Sequence, residues 1–222
     1  MELGQELERQ RQARKDFIAD TRNLEVKTTG RNTVLSLSLE NTATDFILNE
    51  LAHQQIASRQ QIPYRYYQKM WEEYPSLLDD NINSWFMKAP ERRMIRTLDG
   101  NVRAFLSDRY RRLDNLELCT AVLPLIKEMK GAEIISCDVT ETHMFLKIIN
   151  KKLKAEVAVG DVVPAGMVIS NSEVGLGSLK VEPLIYRLGG ELLTVPVKKM
   201  LQSVQKEAGV CNVTPIAKRL MA

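Results

Sequence analysis

The 222-residue sequence predicts an α+β fold: a mainly antiparallel sheet with an N-terminal helical and aromatic subdomain and flanking helices. Three observations carry that expectation. Short runs alternate apolar and polar residues, most cleanly in "TVLSLSLE" (33–40), where Leu35, Leu37 and Leu39 are separated by Ser36 and Ser38. Such a period of two places one side of a strand in a core. Turn signals, Gly30-Arg31-Asn32 and Asp99-Gly100-Asn101, divide these runs as hairpins require. Between them stand longer stretches of helix formers with apolar residues three and four apart. The reading divides the chain at about residue 90, with 1–90 holding a helix, a hairpin and the aromatic helical segment. Residues 91–222 hold a sheet-rich core with one long helix and a C-terminal helix, the whole forming one compact domain.

Taken in order, residues 5–20, "QELERQRQARKDFIAD", lack Gly and Pro and predict a largely solvated helix. "NLEVKTT" and "TVLSLSLE" predict a hairpin across Gly30. Residues 43–60 predict a second helix, with Ile47, Leu48, Leu51, Ala52 and Ile56 on one face and Thr42 or Thr44 as its cap. His53 falls in mid-helix with no second ligand at i+4, so it reads as a packing or surface residue. Between Tyr64 and Phe86 lie seven of the thirteen aromatic residues, and Pro63, Pro75 and Pro90 cut this stretch into two short helices. Tyr66 and Tyr67 are adjacent, so one of the two is expected near the surface.

"RMIRTL" and "VRAFLSD" then predict a hairpin about Asp99-Gly100. Simple alternation sets Val102, Ala104 and Leu106 against Arg103 and Phe105. Residues 114–131 predict a helix capped by Asp114 or Asn115, bent at Pro124 and ended by Gly131. From Ala132 to Leu188, five strand-like runs separated by Gly, Pro and polar turns extend the antiparallel pattern. Residues 195–208 predict a last helix.

Composition narrows the function classes. The net charge is +3, and 44% of residues are hydrophobic, which suits a globular chain. Cys119, Cys137 and Cys211 are isolated and show no metal-finger spacing, as expected of reduced thiols in a cytoplasm. The charged N-terminal stretch does not read as a signal peptide, and no apolar run approaches the roughly 20 residues of a membrane span. A cytoplasmic protein with no membrane partner is expected. "SNSEVGLGS" (170–178) lacks the Gly-Lys-Ser/Thr ending of a phosphate loop and opens no helix, so Gly175 and Gly177 read as a bend and no cofactor is expected.

The strongest chemical signal is local charge. Arg92, Arg93, Arg96, Arg103, Arg109, Arg111 and Arg112 share a 21-residue stretch with only Asp99 and Asp108. The planar guanidinium fork can hold phosphate through two hydrogen bonds and stack on a base. Tyr66, Tyr67 and Tyr110 are the stacking candidates. The competing reading is that carboxylates within the protein neutralise these arginines, with Glu72, Glu73, Asp79, Asp80, Asp108 and Asp114 as candidates. Asp138, Glu141 and His143 are the raw material for a metal site or a general base, though Asp138 would not share a strand face with the other two.

Four stretches taken together, "HQQIASRQQIPYRYYQKM", "NINSWF", "RTLDGNVRAFLSDRYRRLDN" and "ISNSEVGLGSLKVEPLIYRL", resemble a phage- and plasmid-borne family catalogued as a domain of unknown function, number nine-three-two. The resemblance spans about residues 24–188. It departs after Leu188, where "GGELLTVPVKKM" replaces an expected Cys- and Asn-containing stretch. It implies a role near DNA in a mobile element and supplies no active residues. The resulting expectation is a non-enzymatic protein that binds single-stranded DNA in replication or recombination and self-associates. The alternatives are a metal-dependent enzyme using Asp138, Glu141 and His143, or an interaction module, such as a host-defence inhibitor, docking through the helix at 5–20.

Overall fold

A computed structural model describes residues 2–39, 42–158, 161–186 and 192–193. It has the α+β architecture with a mainly antiparallel sheet arrangement. The chain divides into two compact units, Glu2–Arg111 and the chain from Arg112 onward. The hairpin about Asp99-Gly100 belongs to the first of these.

The first unit begins with α1 (Glu2–Ala13), β1 (Lys15–Asp20), a 3-10 turn (Thr21–Asn23), β2 (Leu24–Thr29), β3 (Asn32–Leu39) and β4 (Thr42–Leu48). Three helices follow, α2 (Glu50–Arg59), α3 (Tyr64–Glu73) and α4 (Pro75–Lys88), and then β5 (Arg92–Leu98) and β6 (Asn101–Ser107). The strands form one sheet in the order β1-β5-β6-β4-β3-β2, in which only the β4–β6 contact is parallel.

Two of these elements correct the sequence reading. The stretch 5–20 is not one helix. It breaks after Ala13, and Lys15–Asp20 pairs with β5 along its whole length. Phe17 and Ala19 then reach the core while Ile18 stays exposed, an alternation that a helix could not provide. The stretch 43–60 likewise splits into β4 and α2. The cap of α2 is Asn49, whose side-chain oxygen accepts the Ala52 N–H at 2.8 Å. Phe46 and Leu48 face inward and Ile47 outward, the period of a strand.

The hairpins form where the turn residues stand. Gly30 has φ +62° between β2 and β3. Asp99 and Gly100, at φ 50° and 78°, make the two-residue turn of positive angles that matches strand twist. One register shift, beside Arg96 and Thr97, changes the faces of β6: Thr97 pairs with Val102 and Arg96 with Ala104, so Arg103 is the bulged residue. The bulge lets Val102 and Phe105 both enter the core, where simple alternation set them on opposite faces.

Helices α2, α3 and α4 supply Ala52, Ile56, Ala57, Tyr67, Met70, Leu78, Ile82 and Phe86 to that core. The sheet supplies Leu24, Val26, Leu35, Leu37, Phe46, Leu48, Ile95, Val102 and Phe105. Burial of side chains of this size is the main stabilising term, at about 1.5–3 kcal/mol each. The outer edge of β2 is closed by α4. Asn83 accepts the Val26 N–H and donates to the Val26 carbonyl, both at 2.8 Å. Asp79 accepts the Thr28 N–H at 2.6 Å and the Thr28 hydroxyl at 2.7 Å. These side chains occupy the backbone groups that another strand would use.

The second unit contains α5 (Asn115–Glu128), β7 (Ala132–Val139), β8 (Met144–Ala158), β9 (Asp161–Asn171), β10 (Lys180–Tyr186) and the two-residue β11 (Leu192–Leu193), in the sheet order β11-β10-β9-β8-β7. Gly131 follows α5 with φ +87°. The first backbone N–H of α5, on Asn115, is satisfied by the Glu173 carboxylate at 2.6 Å. The Asn171 amide donates to the Leu113 carbonyl and to Asn115 Oδ1, each at 2.9 Å. The loop containing Gly175 (φ +79°) is thus tied to the start of a helix far away in sequence. Gly166 lies so close to β8 that a Cβ there would stand 2.0 Å from the Ile148 carbonyl oxygen. The helix expected at 195–208 lies outside the described residues.

Candidate nucleic-acid interface

The structure does not gather the seven arginines on one surface. Arg93, Arg96 and Arg103 are buried; Arg92, Arg109, Arg111 and Arg112 are exposed. Arg93 donates through Nε and a terminal nitrogen to Glu91 and lies 5.7 Å from the centre of the Phe105 ring. Arg96 is wholly enclosed and paired with Asp16 at 3.1 Å. These side chains are part of the folded sheet, because the β5–β6 ladder lies inside the sheet and not at its rim. The expectation that Arg93, Arg96 and Arg103 grip phosphate is therefore corrected.

Arg109, Arg111 and Arg112 follow the end of β6. The turn after that strand is closed by the Tyr110 N–H donating to the Ser107 carbonyl at 3.0 Å. The Ser107 hydroxyl accepts the Arg109 N–H at 3.2 Å. This local bonding fixes the backbone beside Asp108 and leaves the Arg109 and Arg111 side chains at the surface. Tyr110 is half-buried.

The adjacent tyrosines separate. Tyr66 is 55% exposed, whereas Tyr67 is fully enclosed and has its hydroxyl 2.8 Å from His53 Nδ1. Stacking of a base on Tyr67 is therefore also corrected. His53 is itself buried, with Trp71 at a ring separation of 4.6 Å, which settles it as a packing residue. Burial holds its imidazole down to about 4, although the nearby Glu50 charge opposes that shift. Burial likewise drives the Tyr67 hydroxyl well above its ordinary range.

Further basic residues lie where β1, α2 and α4 end and β5 begins, and the sequence did not announce their bonding. Thr21 ties this corner together. Its hydroxyl donates to the Phe86 carbonyl at 3.0 Å and accepts the Glu91 N–H at 3.1 Å, and its own N–H donates to the Glu91 carbonyl at 3.0 Å. Arg59 and Arg93 both bond the Glu91 carboxylate. Burial would raise the Glu91 carboxyl, but these two guanidinium groups outweigh it and hold the carboxyl below its usual range. Arg22 pairs with Asp20 at 2.9 Å, and Asp20 lies opposite Arg92 in the β1–β5 ladder. Hydrogen bonds from the Arg22 side chain and then its backbone N–H, with the Arg92 charge adding to them, hold the Asp20 carboxyl at about 2. Lys88 and the half-exposed Trp85 stand one turn apart at the end of α4. Contacts between residues 32 to 70 positions apart, Arg59 with Glu91 and Thr21 with Phe86 and Glu91, bring these segments together, so composition along the chain gave no signal beyond an aromatic-rich helix.

The other candidate groups do not assemble. Asp138 accepts from Ser136 at 3.1 Å and Lys147 at 3.5 Å, Glu141 is exposed, and His143 stacks on Phe145 with Nδ1 on the Thr142 hydroxyl at 3.0 Å. Among the described residues, no three His, Cys, Asp or Glu side chains gather as holding a metal ion requires. The charged residues of α1 pair mostly within the unit, Arg9 with Glu6 and Asp99, and Arg11 with Glu8. Among the described residues, no helix is long and apolar enough to cross a membrane.

No protein-family model, curated protein or solved structure matches the chain.

Proposed function

We propose that this protein binds single-stranded nucleic acid without catalysing a reaction on it, and that the segment after β6 makes the phosphate contacts. Arg109 and Arg111 act as the grip, and Arg92 and Tyr66 supply further cationic and stacking contacts. The observation that carries this reading is the exposure of Arg109 and Arg111 on a turn whose backbone is already fixed, while the buried arginines of the same stretch serve the sheet. Exposed guanidinium groups on a fixed backbone lose little freedom when they take hold of a phosphate. The motif resemblance favours a role in the replication or recombination of a mobile element in a host cytoplasm, and self-association of the chain is part of the same proposal.

The experiment is titration of a labelled single strand at several salt concentrations. Binding should weaken linearly in log–log form, with a slope of roughly −0.7 for each phosphate neutralised. Arg109→Glu combined with Arg111→Glu should abolish it. Absence of binding in low salt, or an affinity untouched by the double substitution, overturns the proposal.

A further inference from the structure

We infer that the Cys119 and Cys137 sulfurs, together with the Met144 thioether, form a site for one soft monovalent metal ion, Cu(I). The three residues belong to the second unit, so the site is independent of nucleic-acid binding after β6.

Two of the sulfurs are already in contact. Cys119 is buried on α5, and its thiol donates to the Met144 thioether of β8 at 3.7 Å. At a metal–sulfur distance of about 2.3 Å, sulfurs so spaced flank an ion at an angle of about 107°, close to tetrahedral. The third sulfur follows from register. Cys137 pairs with Leu146 and Val139 with Met144, so Cys137 stands diagonally across the ladder from Met144. Directly paired residues share a face of the sheet, as do residues two apart on one strand. Cys137 therefore lies on the face of Met144 and Leu146, the face on which Cys119 of α5 rests. Diagonal neighbours are about 7–8 Å apart along the backbone, a gap that a long methionine side chain spans. Burial, with the neighbouring Cys119 adding to it, pushes the Cys137 thiol up to about 11. Without metal both thiols are thus protonated and pack as ordinary apolar groups.

The donor set selects the ion. Thiolate and thioether are soft ligands suited to Cu(I), whereas a structural zinc site takes four ligands from Cys, His and carboxylates. Among the described residues, no His, Asp or Glu joins these two cysteines as a group of three. On binding, each cysteine exchanges its S–H bond for an S–metal bond and releases a proton to solvent, with no change of oxidation state. Two thiolates on a monovalent ion leave one net negative charge, and the half-buried Cys137 sets that charge towards solvent and gives the ion its entry.

Anaerobic titration of the full-length chain with Cu(I), in competition with a chromophoric Cu(I) chelator, tests this. Cys211→Ser serves as the parent, so that Cys119 and Cys137 are its only thiols. One ion per chain should be held against the chelator, and a large excess of Zn²⁺ should not displace it. Cys119→Ser and Cys137→Ser should each weaken binding by at least the ten- to hundredfold that loss of a supporting group costs a metal site. Met144→Leu is close in volume, so it should keep a urea midpoint near the parent's while losing about tenfold or more in affinity. This variant separates a lost ligand from a damaged core. Copper left wholly with the chelator, displacement by Zn²⁺, or parental affinity in Cys137→Ser or in Met144→Leu overturns the three-sulfur site.

Discussion

Arg96 Nε meets Asp16 Oδ1 at 3.1 Å, and a terminal nitrogen meets Oδ2 at 3.2 Å, between side chains that are 0% and 8% exposed. This two-pronged pair joins β1 to β5, and it explains why an arginine-rich hairpin need not be a binding surface. A guanidinium in that position is committed to the sheet. Removing one partner takes the counter-charge of this pair away from a buried group, which costs about 3–5 kcal/mol. Arg96→Ala should therefore lower stability by that order in urea unfolding. Arg96→Met with Asp16→Leu, which removes both charges and restores volume, should recover most of the loss.

His53 gives the fold a pH dependence of predictable sign. Its folded pKa is held down to about 4 against an ordinary value of 6.5, so the unfolded chain binds the proton more readily. The stabilising effect is fully present above pH 6.5 and is lost as pH falls towards 4. The total is about 3 kcal/mol, with a slope of up to about 1.4 kcal/mol per pH unit. Unfolding free energies measured across that window should show this decline in the parent and a much flatter profile in His53→Gln.

The closed edge of β2 predicts a change in association. Asp79→Ala should cost about 1–3 kcal/mol, because the Thr28 N–H and hydroxyl lose their acceptor. Asp79→Ala with Asn83→Ala leaves the edge groups of Val26 and Thr28 without those partners. Light scattering of the double variant should then show stronger concentration-dependent association than the parent shows.

Gly166 should tolerate no side chain. A methyl group there would meet the backbone oxygen of Ile148, which cannot turn away as a flexible side chain would. Gly166→Ala should destabilise the second unit by about 1–3 kcal/mol or more, read as a lower denaturation midpoint. Gly30→Ala, where φ is positive but nothing crowds the site, should cost less.

What was legible in the sequence was what neighbouring residues decide. The turns at Gly30 and Asp99-Gly100, the proline-bounded helices α3 and α4, the end of α5 before Gly131 and the antiparallel pattern after it follow from local chemistry, although the expected runs beginning at His143 and Lys154 are continuous in the single strand β8. β1 and β4 were not legible, because each is a short strand adjoining helix-forming residues, and only pairing with β5 or β3 makes it extended. The faces of β6 were misjudged for one reason, a bulge at Arg103 that nothing in "VRAFLSD" marks. The fate of the arginines was least legible of all. Asp16 neutralises Arg96 across 80 positions, and neither Asp16 nor Glu91 was among the acids expected to do so. Of the two adjacent tyrosines, the expectation that one is exposed fits Tyr66, but only the partnership of Tyr67 with His53 decides which.

The central claim is that exposed guanidinium groups after β6 hold a nucleic-acid backbone. The most direct measurement is the salt slope of single-strand binding in the parent and in Arg109→Glu, Arg111→Glu, compared with Arg96→Met, Asp16→Leu as a control for lost but buried charge. The account predicts a salt-dependent complex with the parent, an undiminished one with the buried-pair variant, and none with the surface variant. A parent that leaves the strand unbound at low ionic strength, or a surface variant that binds it as well as the parent does, contradicts it.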